Sequence, residues 1–242
     1  MIIDDVLSQL DGDAPVKDIR QGVFHTGVWT RHCGLAASLP RDALQQTPPL
    51  VREPGQLLKK SALELTQFVY SERILEAAMG MACLNSLLQV PIEDCQERNA
   101  AEIILEKGQG NNVAVVGHFP FIPKVREVAR QVWVIEKNPG PGDLQASEAE
   151  TYLPRADLVA ITGTAFTNHS IDTLLAWCDP GAYVLILGDS APMSRVLFAY
   201  GIDAVAGTWV AEPERALRCV SQGANFRQIQ GVKRLTLCKH SA

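Results

Sequence analysis

Several common functional signatures are missing from these 242 residues, and each absence removes a class. There is no excess of positive charge: 22 Lys and Arg face 27 Asp and Glu, a formal net charge of −5. That argues against a nucleic-acid partner, whose backbone needs a basic surface. No apolar run reaches the roughly 18–20 residues that cross a bilayer, so no membrane partner is expected. The chain begins Met1-Ile2-Ile3-Asp4-Asp5, acidic where a secretory leader would be basic, and a cytoplasmic location is expected. The six cysteines, at 33, 83, 95, 178, 219 and 238, contain no CxxC pair and are scattered through a large chain. They read as small buried hydrophobes rather than bridges, with Cys33 set apart for its histidine neighbours. Internal repeats and low-complexity tracts are absent as well.

What is present is ordinary in composition, 47% hydrophobic and 20% charged, and divides by periodicity. Residues 2–10 carry helical spacing, and 16–38 alternate like strands, with Gly22, Gly27 and Gly34 as turn or bulge points. Thr47-Pro48-Pro49 and Pro54-Gly55 mark a loop, after which 57–70 and 72–89 turn helical, closed by Pro91. A helix is expected over 93–107. Beyond it, strands at 113–117, 132–136, 157–162, 182–188, 203–207 and 232–238 alternate with helices at 122–130, 147–153, 168–178, 192–200 and 212–222. That alternation predicts an α/β fold with a Rossmann-like, doubly wound, mainly parallel sheet over 93–242. A smaller α+β domain over 1–92 precedes it, with the boundary near 91–95.

Three strands stop abruptly at small polar residues: at Gly117-His118, at Thr162-Gly163-Thr164, and at Gly188-Asp189-Ser190. Ligands of open parallel sheets bind outside such carboxyl ends, so these endings predict one composite pocket. It is not a dinucleotide pocket. The G-x-G-x-x-G fingerprint is missing, and Pro120 and Pro123 remove amides that could hold phosphate, so NAD is disfavoured. A nucleophile elbow, G-x-S-x-G, is absent too. His118 is a candidate proton carrier or metal ligand, against the reading of a plain loop histidine. Glu136 ends the second strand, where a ribose-binding acid would sit; it is also a candidate metal ligand, or simply a solvated strand-end acid. Thr162, Gly163, Thr164 and Asn168 can line the pocket or, with Thr167, merely cap the next helix, and His169 reads as exposed. Asp189 is a candidate base or metal ligand, with Ser190 beside it and Gly207-Thr208 at the rim. Cys33 is a further candidate ligand, since His25, His32 and Cys33 form the one soft cluster, although their spacing matches no standard zinc pattern.

Taken together, Gly80–Leu88, Ala156–Asn168 and Leu187–Pro192, continued by Leu197–Gly207, resemble a family of heavy-metal-chelation proteins. The resemblance covers nearly all of the second domain and the helix before it. It implies an enolase-N-terminal-like domain joined to a Rossmann-like domain, with a cleft between them that handles heavy metals or their complexes. It adds Asn85 to the candidates. At Asp189 the family more often has proline, so an acid there is peculiar to this chain. Three functions emerge as expectations: a binder of a small molecule or metal complex, with a transition metal as cofactor or cargo; a transferase for S-adenosylmethionine or a nucleotide, with Glu136 on the ribose; or a non-catalytic scaffold subunit. Whether it is an enzyme, and whether it forms a homo-oligomer, stay open.

Overall fold

Where the periodicity of residues 2–38 changes, so does the backbone. The computed structural model describes residues 1–47 and 50–239. Ile2, Ile3 and Val6 bury one side of a short helix, α1 (Ile2–Leu7). The alternating stretch forms β1 (Asp18–Gln21), β2 (His25–Trp29) and β3 (Cys33–Ala37), an antiparallel meander. Gly22 falls in its first turn, but Gly27 and Gly34 lie inside strands. At 34 a side chain has no room, since a Cβ would stand 2.2 Å from the Ala82 carbonyl oxygen. Helix α2 (Pro40–Gln45) comes next, with Pro40 in its first turn, where an amide would have no intrahelical acceptor. Of the loop expected at Thr47-Pro48-Pro49, the two prolines lie outside the described residues.

Residues 57–70 do not make one helix. A 3-10 turn (Leu57–Lys59) stops at Ser61, which starts α3 (Ala62–Thr66) through a capping box. The Glu64 amide donates to the Ser61 hydroxyl at 3.2 Å, and the Ser61 amide donates to the Glu64 carboxylate at 2.7 Å. Helix α4 (Ile74–Leu87) then runs through the protein's centre, buried on nearly every side, as an apolar helix without a polar face must be.

The helix expected over 93–107 is broken as well. Cys95 and Gln96 form a short edge strand, β4 (Cys95–Gln96), and α5 (Ala100–Gly108) starts only at Asn99, whose side chain accepts the Ala101 amide at 3.0 Å. From there the alternation holds: β5 (Asn112–Val116), α6 (Ile122–Val128), β6 (Gln131–Glu136), β7 (Leu144–Gln145), α7 (Ala149–Tyr152), β8 (Leu158–Thr162), α8 (Thr164–Thr167), α9 (Ile171–Ala176), β9 (Tyr183–Leu187), β10 (Ala204–Val210), α10 (Pro213–Ser221) and β11 (Val232–Cys238). The helix expected at 192–200 is instead an extended segment and a 3-10 turn (Arg195–Tyr200), because Met193 is drawn into contact with Gly207 and the Ser194 hydroxyl caps that turn through the Val196 amide.

The strands form one eight-stranded sheet in the order β4-β11-β10-β9-β8-β5-β6-β7. The six from β10 to β7 are parallel, and β11 and β4 lie at one edge, joined by antiparallel pairing. Strands β8 and β9 are buried along almost their whole length, as a sheet covered on both faces requires. One face is packed by Ile103, Ile104 and Val125 of α5 and α6. On the other, a continuous core runs from Leu65, Met81 and Leu84 to Ile161, Ile186 and Val205. The chain winds outward from β5 to β6 and β7, then crosses back to β8 on the other side of β5. That reversal is a topological switch point between the ends of β5 and β8. No described helix is long and apolar enough to cross a membrane.

Candidate functional site

At the switch point, parallel pairing places Val116 beside Ile135 on one side and Ile161 on the other. Gly117-His118, Glu136-Lys137 and Thr162-Gly163-Thr164 therefore emerge at one sheet edge. Much of this polarity is used locally. The Thr162 hydroxyl is 3.0 Å from that of Thr164 and accepts the Thr164 amide at 3.3 Å. Asn168 Oδ1 accepts both the amide and the hydroxyl of Ser170, at 3.2 and 2.7 Å. Glu136 Oε1 accepts the Lys137 amide at 2.8 Å. Where a dinucleotide protein would cradle phosphate, the rings of Phe119 and Phe121 stack at 5.2 Å.

Above this edge lies a cleft of about 250 Å³. It is lined by Asp42, Gln45 and Gln46 of α2 and its cap, by Ser71 and Glu72 before α4 and Ile74 at its start, and by Lys137, Thr167, Asn168 and His169; Gly117, His118, Glu136, Thr162 and Thr164 are not among the lining residues. Two bonds flank it: Lys137 Nζ to Asp42 Oδ1 at 2.5 Å, and His169 Nε2 to the Val69 carbonyl at 2.7 Å. Thr167 is 1% exposed, and its hydroxyl has no partner among the described residues. A buried hydroxyl left unpaired costs free energy and calls for an explanation.

His118 stands out from the sheet edge with its side chain 58% exposed and its Nδ1 2.9 Å from Asp143 Oδ2. The Asp143 side chain is 3% exposed and also accepts the Gly140 amide at 3.0 Å.

The third strand ending does not line the cleft. Asp189 is sealed beneath the meander, its carboxylate 2.9 Å from His25 Nε2 and 2.5 Å from Arg234 Nη1, and accepting the Thr208 hydroxyl. Burial pushes its pKa up, but His25, Arg234 and Thr208 outweigh this and hold it below the usual carboxylate value. Arg234 also donates to the Phe226 carbonyl at 2.7 Å and lies 3.7 Å above that residue's ring. Ser190 Oγ accepts the Ala37 amide at 2.9 Å, and Asn85 Nδ2 donates to the Leu35 and Asp189 carbonyls at 3.0 and 3.2 Å. Asp189, Ser190 and Asn85 thus join the meander to the sheet, while the Gly188 amide donates to the Ala206 carbonyl of β10.

The soft cluster separates. His25 pairs with Ala37 whereas Cys33 pairs with Trp29, four residues along the hairpin, or about 13 Å at strand rise. His32 packs on Trp209, ring centroids 5.2 Å apart, and burial beside Arg31 and Lys17 lowers its pKa. Burial raises the Cys33 and Cys83 thiols to about 12, so both are protonated in the ligand-free protein. Among the described residues no three His, Cys, Asp or Glu side chains converge as metal ligands.

Sequence reasoning passed over Asp143, Lys137, Asp42 and Arg234. The Pro139-Gly140-Pro141-Gly142 run was a signal for the first, because so tight a turn can carry the next residue back to the strand ends. The others are ordinary charges until the fold pairs them.

Residues 99–239 match the DUF364 family model, described as "Putative heavy-metal chelation". The chain belongs to that family. Residues 3–88 match a second model of the same description, DUF4213. A relative of this DUF364 member, the uncharacterized protein MJ0500 of Methanocaldococcus jannaschii, is 26% identical over 169 residues, covering 66% of this chain and 64% of the relative. The chain therefore matches just under two thirds of that relative's length. Two solved structures of unknown function from the DUF364 family share the fold at a TM-score of 0.83. The one from Desulfitobacterium hafniense is 23% identical, covering 98% of this chain and 97% of its own. The one from Pyrococcus horikoshii is 19% identical and covers 98% of each. At these identities the likeness is one of fold.

Proposed function

We propose that the protein binds a small polar metal complex, its metal already held by an organic chelator, above the carboxyl ends of β5, β6 and β8. The family's description supplies the metal. The lack of three converging ligand side chains among the described residues argues that the chelator, not the protein, fills most of its coordination sphere. The observation that carries the reading is a cleft whose lining includes Asp42, Gln45, Gln46, Lys137 and Asn168 together with Thr167, whose buried hydroxyl has no partner among the described residues and would meet a ligand only after a small local shift. Pockets favour such junctions and switch points, and a few convergent polar groups fix the ligand's orientation.

Thr167→Val separates binding from folding. Replacing an unsatisfied buried hydroxyl by a methyl leaves stability equal or higher, whereas a ligand bonded to that hydroxyl loses about 3–10-fold in affinity. Calorimetric titration with ferric citrate and nickel–histidine complexes, alongside the bare ions, measures this. Chelates are expected to bind where bare ions do not, and more weakly to the variant. Saturable binding of bare nickel or iron with equal affinity would overturn the reading.

A second reading keeps one supporting observation: Glu136 ends the strand next to β5, the position of a ribose-binding acid. Stabilisation against heat by S-adenosylmethionine or a nucleotide, absent in Glu136→Gln, is its test.

A further inference from the structure

Where a helix ends in a left-handed turn the usual residue is glycine, or sometimes asparagine, because a larger side chain is disfavoured there. Helix α8 ends that way on a histidine. The Ser170 amide donates to the Ala165 carbonyl at 2.9 Å, the His169 amide to the Phe166 carbonyl at 3.4 Å, and His169 sits at φ 60°. The chain thus keeps an imidazole where the backbone disfavours one. Part of its use is structural. A carbonyl can only accept, so Nε2, 2.7 Å from the Val69 oxygen, carries the proton. In the neutral ring that leaves Nδ1 as a bare acceptor, on a residue that lines the cleft, and no described residue donates to it.

Much of the remaining lining is already spent. Lys137 is held by Asp42 at 2.5 Å. Gln46 has its amide on the Glu72 carbonyl at 2.7 Å and its oxygen on the Ile74 amide at 3.0 Å, and the Ser71 hydroxyl donates to Glu76 at 2.6 Å. Two strong acceptors are left open among the described residues, His169 Nδ1 and the Glu72 carboxylate. Asn168, whose oxygen is taken by Ser170, keeps its Nδ2 as a donor. Gln45 and the Thr167 hydroxyl can serve either way. Asp42 and Glu72 against Lys137 leave the lining net negative, which disfavours an anionic complex.

We propose that the cleft selects chelates whose chelator binds its metal through an amine that keeps N–H hydrogens, as an amino acid does. An amine on a metal still donates through those hydrogens, here to His169 Nδ1 and Glu72, while the chelator's carboxylate falls to Asn168 Nδ2. A polycarboxylate chelator offers the two open acceptors only oxygen and more negative charge. No bond from protein to metal is required. The proposal rests on the chelate reading above and names the class of chelator.

Calorimetric titration of the full chain with three nickel complexes tests it. One is formed by histidine, one by N,N-dimethylhistidine, which keeps the chelating nitrogen but has no amine N–H, and one by citrate, which is anionic. The histidine complex is expected to bind about tenfold tighter than the dimethyl one, and tighter still than the citrate one. His169→Asn suits the left-handed turn but has no ring nitrogen, and should bring the first ratio close to one. A purely structural role for His169 would weaken both complexes alike and leave their ratio unchanged. Glu72→Gln should narrow the gap to citrate. Independently of any variant, nitrogen NMR of the ligand-free protein at pH 8 should find the His169 proton on Nε2. A proton on Nδ1, a ratio close to one in the wild type, or a tenfold ratio that survives in His169→Asn overturns the proposal. Equal binding of all three complexes, with Thr167→Val still weakening them, overturns the choice of chelator alone; no binding of any complex overturns the chelate reading with it.

Discussion

Replacing Asp189 with alanine is expected to lower stability by about 3–5 kcal/mol, the range for breaking a buried ion pair from one side. The carboxylate is 1% exposed, and its loss strands His25 Nε2, itself 8% exposed, together with Thr208 and one face of Arg234. The groups it joins come from three places: the meander through His25, β10 through Thr208 and β11 through Arg234. No single helix or loop can relax to absorb the loss. Because the folded carboxyl sits below its usual pKa, the stabilisation is fully present above the unfolded value of about 3.9. It is lost as the pH falls through the lower folded value, so wild type and variant should converge in acid. Urea unfolding at pH 7 and across pH 5 to 3 measures both. A difference under 1 kcal/mol at pH 7 would show that the network is ornamental.

Gly163→Ala is expected to cost about 3 kcal/mol, at the upper end for overpacking a well-filled interior. A Cβ at 163 would stand 2.5 Å from the Ala191 amide nitrogen and 2.9 Å from the Ser190 carbonyl carbon. Those neighbours are backbone and cannot swing aside. The Gly163 amide also donates to the Leu187 carbonyl at 2.7 Å, locking the turn after β8 to the end of β9. Prying the two apart moves Thr162, Thr164 and the start of α8, which carries Thr167. The same variant should therefore weaken ligand binding as well as stability. Thermal unfolding with and without ligand separates the two effects, and an alanine variant of wild-type stability would contradict the packing described.

The parallel sheet was legible because its strands carry their own signal. Residues 158–162 and 183–187 are continuous apolar runs ending at glycine or threonine, and such runs are found where both faces are covered. Strand β11 was readable at its observed bounds for a similar reason. The short edge strand β4 was not, since Cys95 becomes a strand by pairing with Leu237 at the far end of the chain, and helical spacing overrode it locally. Residues 57–70 misled in the other direction: the apolar spacing is continuous, but Ser61 and Glu64 cap a new helix inside it. At the candidate site, the polar strand endings were visible, yet their partners were not. That Asp189 is covered by His25 and Arg234, while Gly117 and Thr162 meet at the switch point, depends on strand order. Asp143 was hidden because a lone acid after a Gly/Pro turn has no meaning until the turn is folded.

The central claim is that a metal complex binds above the carboxyl ends of β5, β6 and β8. Anomalous diffraction at the metal edge tests it most directly, on crystals grown with ferric citrate or a nickel–histidine complex and compared with crystals soaked in the bare ions. The account predicts one strong peak at that sheet edge with the chelate and none there with the bare ion. A peak at that edge with the bare ion alone, or chelate peaks confined to other surfaces, would contradict it.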